Sequence, residues 1–330
     1  MSTPPPWTLV LQRIIKSTPE LERLATTLGV TPTILIRWAS GDFIPERAHL
    51  VRLVQVFLPQ HRQELIEALE IDYPNIQAWL KDDIPDKIPS SFFAQVLNAR
   101  ATTTDILRFP RISDMILKQA LTQLDPSGLG MAITIAQCMP PSAGGKIRSL
   151  RERVGRGTPP WDADLEALAI FLGMESLAGF TAELRHVLHI PDLRKDSLLP
   201  AYRTEYEVST AAHPIWFAGR IAGCLAASST QEGHFTQQRL ALLGTFSDLL
   251  SLAFDENEFY PTKLVELRVM PNHNIQRSYI STFRERVSKL LANSAHYHLF
   301  EAEQQAWREI EAIFFSLPDD AYNLPQPPRT

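Results

Sequence analysis

Residues 209–228 read STAAHPIWFAGRIAGCLAAS, and this stretch decides the fold class. Ser209–Phe217 and Arg220–Ser228 are two strand-like runs separated only by Ala218-Gly219, the spacing of a tight hairpin. A long amphipathic helix over Phe235–Phe254 follows them. Upstream, Gly128–Ala136 reads as a central strand and residues 91–122 as helix. The basic run KIRSLRER, residues 146–153, precedes VGRGTPPW, Val154–Trp161, a turn-rich element that leads into an expected helix at Asp162–Leu172. His186–Asp192 reads as a strand end. The region therefore mixes helical and strand-like pattern, with one hairpin signal.

The remainder of the chain frames that domain. Its 330 residues are enough for about two domains. With 45% hydrophobic and 21% charged residues, the chain can fill a core, and global disorder is excluded. The net charge is −5, yet residues 1–62 carry seven Lys or Arg against four acids. That asymmetry favours an N-terminus facing nucleic acid. Two cysteines, Cys138 and Cys224, form no disulfide framework and suit a reducing cytosol. The start MSTPPPW has no signal-peptide pattern, and no apolar run approaches the roughly 18 residues of a membrane span. The expectation is a soluble, cytoplasmic protein with no membrane partner.

Residues 18–57, TPELERLATTLGVTPTILIRWASGDFIPERAHLVRLVQVF, carry the second signal. A helix over Trp7–Lys16 precedes them. Thr18 is expected to cap the next helix, with Pro19 in its first position. Leu21, Leu24, Ala25 and Leu28 keep helical spacing on an inward face, and Gly29 permits a left-handed turn. Thr31-Pro32 repeats the cap and opens a helix anchored by Ile34, Leu35 and Trp38, with Thr33 and Arg37 facing out and Gly41 ending it. Pro45 opens a fourth helix with Leu50, Leu53, Val54 and Phe57.

This segment resembles the Cro and phage-repressor (XRE) helix-turn-helix family at Leu24-Ala25, Leu28-Gly29-Val30-Thr31, Arg37-Trp38, Gly41 and Pro45. The resemblance implies that the helix after Thr31 enters the major groove of double-stranded DNA. The DNA-binding residues would then be Thr31, Pro32, Thr33, Ile34, Arg37 and Ser40. Thr31 and Thr33 would bond phosphates or base edges, and Arg37 would bond guanine or phosphate. Pro19 stands where the family often has a Gln, which removes that contact. A single module with few basic residues binds weakly, so a homodimer on two half-sites is expected.

The order His213-Pro214-Ile215, Gly219–Leu225, Ser228-Ser229 and the helix after Phe235 resembles the close of a GAF domain. That family implies an antiparallel sheet with helices on one face and a small-molecule pocket on the other. VGRGTPPW resembles the start of the pocket-covering segment. The cyclic-nucleotide pattern and the bilin-attachment Cys-His pair do not occur. Phe180, His189, Asp192 and Trp216 are the candidate ligand-binding residues, each open to an ordinary core role as well. A GAF domain serving only for dimerisation is the alternative.

Other chemistry is discounted. The pairs His186/His189 and His296/His298 lack the cysteine or carboxylate companions of a zinc site, so no metal is expected. Gly144-Gly145-Lys146 is not a phosphate loop, and no nucleophile elbow occurs. No catalytic residue and no cofactor is identified, and the chain is expected not to be an enzyme. Two helix-spaced stripes, Ile280–Leu291 and Leu299–Phe314, serve either packing or a subunit interface.

The expected organisation is multi-domain: an all-α helix-turn-helix domain (1–80), a linker (81–90), an α+β GAF-like sensor or dimerisation domain with flanking helices (91–261), a helical C-terminal extension (262–317) and a disordered tail (318–330). The function this implies is transcriptional regulation, controlled through the GAF-like domain by a small-molecule effector or by assembly. The rival is a signalling module that binds a protein partner instead of DNA.

Overall fold

The computed structural model describes residues 5–57, 59–82, 87–126, 128–142, 144–165, 170–195, 206–293 and 298–322. The chain divides into two compact units, Met1–Pro85 with Asp125–Leu129, and Asp86–Leu124 with Gly130–Thr330.

The first unit is helical: α1 (Pro6–Ile15), α2 (Thr18–Leu28), α3 (Pro32–Ser40), α4 (Arg47–Val56), α5 (Pro59–Asp72) and α6 (Ile76–Asp82). Proline in the first turns of α1, α2 and α3 stands where an amide would have no partner within the helix. Gly29 (φ 70°) and Gly41 (φ 81°) end α2 and α3 in the left-handed conformation that glycine adopts without a Cβ penalty. Trp7, Leu11, Leu24, Leu28, Leu35, Trp38, Leu53 and Phe57 fill one core.

Three local expectations change. Ser17, not Thr18, occupies the cap position of α2, and neither it nor Thr31 makes a side-chain cap bond. The fourth helix begins at Arg47, because Pro45 is buried in the connection before it. Ile34 does not anchor α3; it is exposed, and Leu35, Trp38 and Ala39 do the anchoring.

The second unit is built on one antiparallel sheet. Its strands are β1 (Met131–Cys138), β2 (Leu150–Gly157), β3 (Phe171–Leu172), β4 (Leu188–Ile190), β5 (Ser209–Phe217), β6 (Arg220–Ser229) and β7 (Tyr260–Pro261). The order is β3-β2-β1-β6-β5-β4, with β7 added to β6. The β5–β6 hairpin turns at Ala218 (φ 49°) and Gly219 (φ 74°), two consecutive left-handed residues that match the strand twist.

Two helices precede the sheet, α7 (Ser90–Thr102) and α8 (Asp105–Leu124), where a single helical stretch was expected. The backbone turns extended at Thr103 and separates them. α8 packs on β1 and β2, and α10 (Gln237–Leu250) packs on β5. α9 (Leu177–Leu184) covers the other face. A Cβ on Gly244 of α10 would lie 3.0 Å from the His213 ring, and His213 is paired with Leu225. The thiol of the adjacent Cys224 donates to the Ala178 carbonyl of α9. Successive strand residues point to opposite faces, so α9 and α10 lie on opposite sides.

The helix expected at Asp162–Leu172 is not formed as such. Asp164 bridges Arg156, the Leu165 amide donates to the Gly155 carbonyl, and Phe171–Leu172 is strand β3. A short apolar run does not discriminate helix from strand, and the neighbouring edge of β2 supplies the partner that decides it. Residues 166–169 lie outside the described residues.

After β7 come α11 (His273–Ile280), α12 (Phe283–Asn293) and α13 (Leu299–Phe314). The buried stripe Ala302, Ala306, Ile310 and Phe314 repeats every four residues. Phe314 meets Phe171 of β3 edge-on at 5.3 Å, and Trp307 stacks on Phe283 at 4.1 Å. Asp319–Tyr322 forms a 3-10 turn with Ala321 buried, so order extends into the stretch expected to be a disordered tail. Residues 323–330, like 83–86 of the expected linker, lie outside the described residues.

Candidate functional site

The α9 side of the sheet holds the candidate ligand site. Along β6, Ala226 and Ser228 point to the same side as Cys224. Thr134 lies opposite Ala226 and Ala132 opposite Ser228. On the flanks, Gly155 faces Thr134, Gly157 faces Ala132, Thr210 faces Ser228, and Ala212 faces Ala226. Ile133, Ile135, Leu225 and Ala227, on the opposite side, are buried. Thr134, Ala226 and Ser228 stay half-buried although they sit on the central strands. Alanine, glycine and small hydroxyl residues therefore line this half of the face, and Thr134, Ala226 and Ser228 keep part of their surface accessible.

The chain after β2 folds over this face. A Cβ on Gly155 would fall 3.1 Å from Leu165 Cβ, and one on Gly157 would fall 2.7 Å from Trp161 Cβ. Trp161 therefore stands above this face, and Tyr206 meets it edge-on at 6.1 Å. Ser228 Oγ donates to Glu207 Oε1 at 2.6 Å, and Thr210 Oγ1 lies 3.3 Å from Ser228 Oγ. Burial pushes the Glu152 carboxyl up to about 7; the Ile170 amide opposes this, the Glu207 charge adds to it, and the Thr134 hydroxyl opposes it again.

The four residues expected to bind ligand do not converge. Phe180 packs beside Ile190 and Leu193. Trp216 fills the core beneath α9 with Ile221 and Cys224. His189 is exposed on β4, opposite Ala211, and so faces the other side of the sheet. Asp192 is buried and accepts from Arg194 Nε at 2.8 Å and Lys195 Nζ at 2.9 Å. Those bonds hold its carboxyl well below the usual range. Glu152, Glu207, Thr134 and Ser228 were not singled out in the sequence. Their signal was present, however: Ala132/Thr134 and Ala226/Ser228 put small or polar residues on one side of strands whose other side is all apolar.

A cavity of about 120 Å³ lies at the ends of β1 and β2 beneath α13. Gln137, Arg151, Arg153, Glu258, Tyr260 and Trp307 line it. Arg153 donates to Gln137 Oε1 and Glu258 Oε1, at 2.9 and 3.0 Å. Arg151 lies 4.3 Å over the Trp307 ring. Cys138 also borders it, and burial pushes this thiol up to about 12 and Cys224 well above its usual value. Among the described residues, no group of three or more His, Cys, Asp or Glu is placed to hold a metal ion; His296 is outside them. No helix among them is long and apolar enough to cross a membrane.

In the first unit, Leu35, Trp38 and Ala39 bury one side of α3, and Thr33, Arg37 and Ser40 occupy the opposite, exposed side. Thr31, Pro32 and Ile34 are exposed as well. Arg37 Cζ lies 5.6 Å from the Phe43 ring, and Ser40 Oγ donates to Asp42. The positive balance of this segment does not gather into a patch. Arg13 pairs with Glu64, Arg23 with Glu20, Arg52 bonds the Thr27 carbonyl, and buried Arg62 bonds the carbonyls of Val54 and Phe57.

The model of the GAF domain family matches residues 114–254. No curated protein matches the chain. Solved structures similar to it include the GAF domain of a phosphoenolpyruvate-protein phosphotransferase from Acinetobacter, at 14% identity and TM-score 0.36, covering 49% of this chain and 90% of that one. A type II free methionine-R-sulfoxide reductase from Thermoplasma acidophilum is similar at 12% identity and TM-score 0.35, covering 48% of this chain and 98% of that one. A free methionine-R-sulfoxide reductase from Neisseria meningitidis, in complex with its substrate, is similar at 13% identity and TM-score 0.34, covering 52% and 94%. These likenesses carry nothing about ligand or reaction. The expectation that the chain is not an enzyme is corrected to this extent: enzymes stand among the similar structures. With the sheet order, the helical layers and the family match in agreement, residues 114–254 of this chain are a GAF domain.

Proposed function

We propose that this protein is a DNA-binding transcriptional regulator whose GAF domain senses a small molecule. A GAF domain fits a sensing or signalling role. The observation that supports the DNA-binding half is the α2–Gly29–α3 arrangement. It presents Thr33, Arg37 and Ser40 as one exposed row on a helix whose other side is locked into the core. Thr31, Pro32 and Ile34 extend that row toward the start of α3. A homodimer would place two such helices on two half-sites. An effector that binds two dimer geometries unequally would change operator affinity.

The test is selection of bound sequences from a random duplex pool by the purified full chain at moderate salt. Recovery of a two-fold-related motif supports the reading. A folded protein that enriches no motif rejects it.

A specific observation favours the rival, a protein-interaction module with a GAF-mediated dimer. Ile36, Phe43 and Ile44 around the same row are 50%, 51% and 72% exposed, while four arginines of the unit are engaged internally. Apolar surface of this kind suits a protein partner better than phosphate.

A further inference from the structure

We propose that Phe43 is a positioning residue for Arg37, holding its guanidinium so that the N–H fork meets the edge of a guanine in the major groove. This rests on the reading of α3 as the helix that enters DNA, and it names the residue that sets how Arg37 reads a base.

Arg37 stands in the last turn of α3, and Gly41 (φ 81°) turns the chain back at the end of that helix. The Phe43 amide then donates to the Arg37 carbonyl at 3.3 Å. That bond returns the Phe43 ring to the arginine it follows, with Arg37 Cζ 5.6 Å from the ring centroid. Asp42, the acid nearest in sequence, accepts from Ser40 Oγ at 2.7 Å. Among the described residues the Arg37 guanidinium makes no ion pair and no hydrogen bond, whereas Arg13 and Arg23 pair with carboxylates and Arg52 and Arg62 bond carbonyls. Phe43 is 51% exposed and stands outside the core of its unit, so its ring serves the guanidinium rather than the interior.

Attraction to a ring acts through the charge and face of a guanidinium and leaves the donors at its edge, the part that pairs with O6 and N7 of guanine. An arginine that swings freely finds phosphate oxygens as readily as a base edge. One held before binding loses less freedom on contact, and its direction favours one base pair.

Two measurements on the full chain test this. The first is the side-chain Nε–Hε NMR resonance of Arg37, identified as the one lost in R37A. F43L, which removes the ring, should shift it, and F43Y, which keeps the ring, should not. The second is affinity for the operator selected by the natural chain. F43L should weaken it by about two- to fivefold, the effect of one exposed cation–π contact, and should relax preference at the base pair that R37A no longer distinguishes. F43Y should keep both properties, and F43L should add nothing in an R37A background. An Arg37 resonance unchanged in F43L overturns the positioning role, whatever the DNA result. A loss from F43L that is equal on all sequences, or undiminished in the R37A background, makes Phe43 a contact of its own and overturns it as well. A folded natural chain that shows the resonance shift but enriches no motif rejects the DNA-binding reading, and the role of Phe43 with it.

Discussion

Ser149, just before β2, donates its hydroxyl to the buried Glu311 carboxyl on α13. The C-terminal helix is thereby joined to the sheet by a polar contact inside the core, beside the Phe171–Phe314 contact. Burial pushes Glu311 up to about 7 against the Ser149 bond, and it pushes Glu152 up to about 7 on the opposite side of β2.

Both carboxyls therefore hold a proton in the folded chain between about 4.5 and about 7, where the unfolded chain has lost it. Folding binds protons in that window, so stability is greatest at its acid end and falls as pH rises through it. Thermal unfolding at pH 5 and pH 8 checks this. E311Q and E152Q should each narrow the gap, by about 2–4 °C for every kcal/mol of linkage removed. Identical gaps in all three proteins would contradict it.

Gly223 of β6 has φ 155°, and a Cβ there would fall 2.0 Å from the Ala136 carbonyl oxygen of β1. Both atoms belong to central strands, so neither side chain nor loop can yield. G223A should cost about 3 kcal/mol or more, read as a lower urea midpoint or as insoluble protein. A midpoint within experimental error of the natural chain would refute the close approach.

Phe314 is fully buried and meets both Phe171 and Tyr279 edge-on. F314A should lose about 3–5 kcal/mol. Urea denaturation measures it, and a loss below 1 kcal/mol would mean the helix is held by something else.

R37A should leave circular dichroism unchanged, because Arg37 is exposed on α3. It should weaken binding to the selected operator by about 1–3 kcal/mol if the guanidinium reads a base. A weaker loss that is equal on all sequences would place it on phosphate instead, and no loss would remove it from the interface.

The parts legible in the sequence are those decided locally. The β5–β6 hairpin was read to the residue at its turn, because Ala218-Gly219 sits between alternating runs. The ends of α2 and α3 followed from Gly29 and Gly41. The gathering of these small and hydroxyl residues was not legible, because it depends on pairing Thr134 with Gly155 and with Ala226, and Ala132 with Ser228, across long stretches of chain. Periodicity says which residues share a side, but not which strands stand next to one another. Likewise, the basic excess of residues 1–62 was countable, but that Arg13 pairs with Glu64 and that Arg52 and Arg62 are tied to backbone carbonyls appears only after folding.

The flank of β2 has a consequence for solubility. Leu150 and Arg151 pair with β3, and Gly155–Gly157 pair with the segment 163–165. Between them these two short segments occupy much of the outer row of amides and carbonyls on that side of the sheet. Incoming chains find little there to template on, and strand-by-strand polymerisation is directed to β4, which is only three residues long.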